Sequence, residues 1–280
     1  MKTKHLFFSI LISVVLTSCA PVNYFQVFKA TPSEKITLKE NLLVYEDDNC
    51  KVFYNLWDDG GNIGFRLYNK TEQNIYLNLE ESYFILNGIS YDYFQNRVFT
   101  NSTNTGAAVS RGVTASKSMT GINYLDLTQT NRISATNSVG VIASSGYSVS
   151  YNENKIVCIP SKTSKVITEY SINKSLFRDC DLFKYPSQKQ IKTKNFKKSE
   201  SPFIFSNRIS YIVGQSGSPV KFENEFYITE ITNYPESDII ETKYDEYCGQ
   251  KSMVETKYFK NISPDKFYIR YMKGLDTWKH

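Results

Sequence analysis

Short runs of alternating apolar and polar residues recur along the chain, and residues typical of turns separate them. Cys50–Trp57 and Ile63–Tyr68 flank Asp-Asp-Gly-Gly-Asn at 58–62, where positive φ is tolerated, so we expect a hairpin. Asn87-Gly88 predicts a second hairpin. Strands that recur about every eight to twelve residues predict a mainly β fold, an antiparallel β-sandwich. Further strands are predicted at 24–28, 75–79, 83–86, 89–94, 155–159, 165–170, 203–205, 208–213, 225–231 and 266–271.

One segment has a helical period instead. Four apolar residues after Pro235 recur at the spacing of one helix face, namely Ile239, Ile240, Tyr244 and Tyr247. Gly249 is placed to end such a helix because glycine favours the left-handed conformation common after a last turn. The pattern therefore predicts a short C-terminal helix over 236–248.

A long polar insertion is predicted at 101–154, where roughly two-thirds of the residues are Ser, Thr, Asn, Gly or Ala. Such a stretch buries too little apolar surface to offset the entropy of ordering it. We expect a flexible, passive insertion with a short helix or hairpin near 122–127. The alternative is a functional loop, since long loops within a domain often carry function.

The N-terminal residues have the pattern of a targeting signal. Lys2 and Lys4 precede an apolar run from Leu6 to Leu16 that is too short to span a bilayer. Leu16-Thr17-Ser18-Cys19 then resembles the lipobox of bacterial lipoproteins. This resemblance implies that a signal peptide, 1–18, is removed and that Cys19 is acylated. The alternative is an ordinary secretory signal with a chance cysteine.

The same resemblance implies a location. Residues 19–23 would form a lipidated tether whose extended length is under about 20 Å, so the domain at 24–280 lies close to the bilayer. Ala20 is not the aspartate that retains such proteins at the inner membrane, and no acidic cluster follows Cys19. We therefore expect the periplasmic face of the outer membrane.

Removal of the signal peptide changes the chemistry that is available. It leaves 31 basic residues against 28 acidic ones, a net charge of about +3 instead of +5, which argues against nucleic-acid binding. It also removes His5, so that His280 is the one remaining histidine. Because histidine supplies most general bases near neutral pH, we expect no enzyme that depends on one.

Four segments have a weak resemblance to catalytic or metal sites. Gly214–Pro219 is similar to the nucleophile loop of chymotrypsin-like proteases, but without an ordered histidine we interpret it as a hairpin turn. The acidic groups at 46–49 and 58–62 lack the spacing of an EF-hand loop, so we expect turns, no metal and no cofactor. Glu80-Glu81 leaves a hydrolase that uses carboxylates alone as a minor alternative.

Four cysteines remain after Cys19, and none forms a Cys-x-x-Cys motif: Cys50, Cys158, Cys180 and Cys248. In an oxidising compartment they permit up to two disulfides, whose pairing the sequence leaves open. Trp57, Tyr91 and Tyr93 could form a flat platform for glycan rings. The competing interpretation is that these aromatic residues fill the core.

Residues 40–95 resemble the immunoglobulin-like domains of bacterial envelope lipoproteins, because Asn69-Lys70-Thr71 is followed by a strand and an Asn-Gly hairpin. Three further segments are similar to those of Bacteroidetes lipoproteins: 233–236, 246–253 and 263–268. This resemblance implies a fold and no activity.

We therefore expect a membrane-anchored, non-enzymatic module. Its partners would be the bilayer, through Cys19, and an envelope protein bound through strand edges, the insertion or the lysine-rich connector at 184–198. A glycan-binding lipoprotein is the main alternative.

Overall fold

The computed structural model describes residues 22–104, 122–123, 128–129, 146–274 and 279–280. The predicted signal peptide and Cys19 lie outside these residues, as does most of the predicted insertion. The described chain is mainly β, and its strands pair in an antiparallel manner, as the alternating pattern predicts. Within this part of the protein, no helix is long and apolar enough to cross a membrane.

The strands range in length from two to 16 residues. The first ten are β1 Asn23–Pro32, β2 Ile36–Lys39, β3 Leu42–Glu46, β4 Cys50–Tyr54, β5 Phe65–Asn69, β6 Ile75–Asn78, β7 Tyr83–Leu86, β8 Ile89–Asp92, β9 Val98–Asn104 and β10 Ile122–Asn123. The others are β11 Thr128–Gln129, β12 Gly146–Asn152, β13 Ile156–Ile159, β14 Ser164–Ile167, β15 Thr193–Asn195, β16 Ile204–Val213, β17 Val220–Pro235, β18 Ile240–Tyr247, β19 Gln250–Phe259 and β20 Lys266–Met272. Among the described residues there is one α-helix, α1, which spans Glu236–Ile239, and 3₁₀ turns occur at Leu79–Glu81, Gln188–Gln190 and Lys198–Glu200.

Most strands belong to two sheets. The larger sheet has nine strands, with the order β13-β6-β16-β17-β1-β20; β7 also pairs with β16, β8 with β7, and β15 with β17. The smaller sheet has five strands in the order β14-β5-β4-β3-β2. Three two-stranded ribbons complete the described structure: β9 with β12, β10 with β11, and β18 with β19.

A single apolar cluster draws side chains from both sheets. The alternation in β4 buries Val52 and Tyr54, while Lys51 and Phe53 are only half-buried on the other face. From the larger sheet, Phe226 contributes a ring whose centroid lies 5.3 Å from that of Tyr54. Burial of this apolar surface is the main favourable contribution to folding.

Two tyrosine hydroxyls lie inside this cluster and have amide partners. Asn224 donates a hydrogen bond from Nδ2 to the Tyr54 hydroxyl at 2.8 Å, and the Tyr93 hydroxyl donates to Oδ1 of Asn207 at 2.7 Å. Nδ2 of Asn207 then donates to the carbonyl of Ile63 at 2.8 Å. Burial raises the pKa of both tyrosines, so the phenols remain neutral.

The predicted C-terminal helix over 236–248 is wrong beyond its first turn. Helix α1 ends at Ile239, and β18 follows and pairs with β19. Cys248 and Gly249 both have positive φ, at 51° and 78°, which is the backbone of a tight two-residue hairpin turn. A bulge between Tyr244 and Glu246 breaks the strand period, which is why the apolar residues resemble a helix face in sequence.

The described ends of the predicted insertion are paired strands. Val98 in β9 lies opposite Asn152 in β12, and the pairing continues to Asn104 opposite Gly146. β10 and β11 form a further two-residue pairing near the predicted hairpin or helix at 122–127.

Replacement of Phe226 by alanine should lower the free energy of unfolding by about 3–5 kcal/mol, because it leaves a cavity between the two sheets. Urea denaturation would measure the loss. The matched control is Val254→Ala on the exposed strand β19, for which we expect a change below about 0.5 kcal/mol. Equal losses in the two variants would contradict a core shared by both sheets.

Candidate binding surface

The β7–β8 hairpin ends the larger sheet at one corner. Asn87 and Gly88 form its turn with positive φ, at 49° and 82°. Oδ1 of Asn87 accepts a hydrogen bond from the amide of Ile204 at 2.8 Å, which attaches the turn to β16. In the described structure, β8 pairs with β7 alone, and all four of its residues are exposed. The outer edge of β8 is therefore open to another strand.

A charged clamp holds the ribbon of β9 and β12 beside this hairpin. Arg97 forms ion pairs with Glu153 and Glu169. The Glu153 carboxylate also accepts hydrogen bonds from the amides of Gln95, at 2.9 Å, and Arg97, at 3.1 Å. Burial disfavours the charge of Glu153, but these hydrogen bonds outweigh it and hold the pKa of Glu153 below its ordinary value of 4.5.

Exposed apolar side chains cluster around the clamp. Two groups of ring contacts lie beside it: the Tyr91 ring lies 6.0 Å from that of Tyr170, and Phe99 lies under Arg97 at 5.3 Å and stacks on Tyr151 at 5.3 Å. Exposed apolar patches on soluble domains commonly mark interaction sites. We call this patch the insertion-root surface and define it by the exposed residues Ile89, Tyr91, Val98, Phe99 and Tyr151.

The structure separates the three aromatic residues of the predicted glycan platform. Tyr93 is only 2% exposed, so its ring faces protein. Trp57 is half-buried and packs against Phe259 and Tyr268, with centroids 5.0 and 5.2 Å away. Tyr91 alone belongs to the insertion-root surface. Trp57 and Tyr93 thus both contact other side chains of the protein.

The four cysteines are free thiols in the structure. Burial and the neighbouring Asp47 raise the pKa of Cys50, so this thiol remains protonated. Cys158 is half-buried, whereas Cys180 and Cys248 are exposed.

The acidic motifs have local structural roles. Oδ1 of Asp47 accepts hydrogen bonds from the amides of Asn49 and Cys50, at 2.8 and 2.7 Å, and so closes the turn before β4. Glu80 pairs with Lys155 and Glu81 with Lys221. Among the described residues, no three His, Cys, Asp or Glu side chains cluster to hold a metal ion. Gly214–Pro219 connects β16 to β17, as its interpretation as a turn predicts.

Strand register places the insertion-root surface at one end of the larger sheet. Leu86 of β7 lies opposite Phe205, Phe205 lies opposite Phe226, and Phe226 lies opposite Pro32 at the end of β1. Tyr24, near the beginning of β1, is eight residues away, or about 27 Å along the strand. The β7–β8 hairpin is therefore remote from the point where the N-terminal segment enters the sheet.

Comparison of this chain with known protein families, with curated proteins and with solved structures finds no match. The sequence interpretation missed this surface because it assigned β9 and β12 to a flexible insertion. The alternation of Val149 and Tyr151 with serine was the available signal for a strand.

Replacement of Arg97 by glutamine should loosen the clamp, because it leaves the Glu153 carboxylate without its cationic partner. We expect the amides of Gln95 and Arg97 to exchange hydrogen roughly tenfold faster near pH 7, as measured by hydrogen exchange with mass spectrometry. Arg208→Gln, which removes an exposed ion pair with Glu223, is the matched control and should leave this segment unchanged.

The difference between the protein and the Arg97→Gln variant should depend on pH. Because the pKa of Glu153 is lowered in the folded protein, the clamp contributes fully above about pH 4.5 and is lost as the pH falls through the folded pKa. A difference that persists undiminished below that pKa would contradict an electrostatic clamp.

Proposed function

We propose that this protein is a lipid-anchored, non-enzymatic binding or scaffolding module of the bacterial envelope. The lipobox-like sequence that ends at Cys19 supports the anchor, and Ala20 supports a place on the periplasmic face of the outer membrane. The absence of histidine between Cys19 and His280 supports a role without histidine-based catalysis.

For the domain at 24–280 we propose an immunoglobulin-like β-sandwich. Two contacts between the sheets support it: Tyr54 of the smaller sheet meets Phe226 of the larger sheet, and Tyr45 stacks on Phe222 with centroids 4.5 Å apart. Antiparallel sheets that enclose one layer of interlocked side chains are typical of this architecture.

The insertion-root surface is the observation that carries the proposed binding role. It lies about 27 Å along β1 from the end where the tether would enter, so an anchor at Cys19 would present it away from the bilayer. A protein partner fits it best, because β8 offers an open strand edge and Ile89 and Tyr91 offer apolar side chains beside that edge.

Glycan binding remains the alternative, and the exposed rings of Tyr91 and Tyr151 are the observation that favours it. Glycan binding would not use the open strand edge of β8, whereas a protein strand could pair with it. We therefore propose protein binding as the main function.

Replacement of Cys19 by alanine should abolish acylation and release the protein from the membrane fraction, because the chain would lose the thiol that accepts the lipid. Labelling of cells with an alkyne fatty acid, followed by fractionation, would measure both effects. Cys180→Ala is the matched control and should leave both unchanged. Retention of the label by the Cys19 variant would overturn the proposed anchor.

A photo-crosslinking amino acid at Tyr91 should give a reproducible protein adduct in intact cells, because Tyr91 lies beside the open edge of β8. The same amino acid at Leu38, exposed on the edge strand β2 of the other sheet, is the control and should not give that adduct. The adduct should be lost in an Ile89→Asp variant, since a charge would oppose burial of this edge.

The outcome separates the two functions. An adduct that glycosidase treatment removes would favour glycan binding. Adducts of equal yield at both positions, or no reproducible adduct, would contradict a partner at the insertion-root surface.

A further inference from the structure

We propose that the ribbon formed by β18 and β19, here the C-terminal ribbon, is a second membrane contact whose tip enters the interfacial region of the bilayer. This inference rests on the proposed acylation of Cys19. The acyl chains alone would leave the domain free to rotate on the membrane. A second contact through the ribbon would limit its orientation.

The root of the C-terminal ribbon is attached to the first residues of β1. Nδ2 of Asn23 donates a hydrogen bond to the Glu236 carboxylate at 2.9 Å, and Lys257 forms an ion pair with the same carboxylate at 2.6 Å. The ring of Phe259 packs against that of Phe25 with centroids 5.7 Å apart. The ribbon thus leaves the domain at the point where the tether would enter it.

The pKa of Glu236 is consistent with a stable root. Burial opposes ionisation of this carboxyl, but the hydrogen bonds from Lys257 and Asn23 outweigh burial and lower the pKa. The carboxylate is therefore charged at neutral pH, which keeps its contacts with Lys257 and Asn23 in place.

The distances bring the tip within reach of the bilayer. The carbonyl of Val22 accepts a hydrogen bond from the amide of Lys273 at 3.0 Å, so the chain is held from Val22 onward. Only two residues lie between Cys19 and Val22, and the three residue steps reach about 11 Å when extended. β18 has eight residues and spans about 26 Å, which exceeds the reach of the tether.

The half of the C-terminal ribbon that ends in the Cys248-Gly249 turn presents apolar side chains to solvent, with Tyr247 next to the turn and Met253 and Val254 at the bulge. Met253 is 100% exposed and Tyr247 is 84% exposed, and Val254 beside Met253 is also exposed. The bulge sets Asp245 opposite 252–254 and interrupts the regular edge of β19. A broken edge disfavours strand pairing with another protein, whereas projecting Tyr, Met and Val side chains suit the boundary between headgroups and acyl chains.

The net charge of the C-terminal ribbon argues against electrostatic binding to anionic lipid. Residues 240–259 contain four acidic residues and three lysines, so the ribbon is almost neutral. Attraction to an anionic surface needs a cluster of basic residues, which these counts do not provide. The contact should therefore depend on apolar insertion and hold equally on zwitterionic bilayers.

The test places a fluorophore at the ribbon tip of the full acylated protein. Cys248 lies in the turn of the ribbon and is exposed, so it accepts an environment-sensitive maleimide dye in a Cys158→Ser, Cys180→Ser background, with Cys50 buried. The protein is reconstituted into phosphatidylcholine vesicles. We expect a blue-shifted emission and quenching by nitroxide groups on the acyl chains, both unchanged when phosphatidylglycerol is added.

The matched control carries the dye at Ile89→Cys with Cys248→Ser, because Ile89 is exposed at the opposite end of the sheet. This label should show neither the shift nor the quenching. Met253→Ser with Val254→Ser should remove both signals at Cys248 while the protein stays on the vesicles through its lipid. These residues are exposed, so the variant should fold normally.

Each contrary outcome has a distinct meaning. If the protein binds the vesicles but the Cys248 dye reports water, the second contact is overturned and the anchor stands. If the acylated protein stays in solution, the proposed anchor fails and the inference fails with it. If the dye is quenched by a second dye-labelled copy, or shifts only with phosphatidylglycerol, the partner is another chain or anionic lipid, and the inference is overturned.

Discussion

The burial of aromatic and aliphatic side chains between two antiparallel sheets is the constraint on which the rest of the structure depends. Tyr54 and Phe226 meet in this layer although 171 residues separate them, and the Tyr54 hydroxyl finds its donor in Asn224 on the opposite sheet. The apolar face of each sheet is covered by the apolar face of the other sheet. The core is complete only when the strands have their final register, and that register determines where the exposed segments leave the sheets.

The register also gives the larger sheet two ends with different properties. β1 begins beside Glu236 and the root of the C-terminal ribbon, and it ends level with Phe226 and the β7–β8 hairpin. Under the proposed anchor, the first end faces lipid and carries an apolar ribbon tip, while the second carries an open strand edge and exposed rings. The sheet between the two ends holds the binding surface away from the bilayer even though the proposed tether is short.

Local chemistry explains most of what could be predicted. Alternation places β4 and β5 correctly, and Asn87-Gly88 makes the expected turn because both residues accept positive φ. The helix over 236–248 failed because Ile240 and Tyr244 share one face in a helix and also in a strand, and the bulge hides the difference. The roles of Trp57 and Tyr93 could not be predicted, since burial depends on residues far away in sequence.

The sequence by itself determined the mainly β class, the positions of most strands and turns, and the lipobox-like pattern at Cys19, because each depends on residues close together in the chain. Tertiary structure alone decided which aromatic rings are buried, how Arg97 meets Glu153 and Glu169, and that Tyr91, Phe99 and Tyr151 share a surface. The physical reason is that periodicity selects the face of a strand on which a side chain lies. Long-range pairing and packing decide what that face meets.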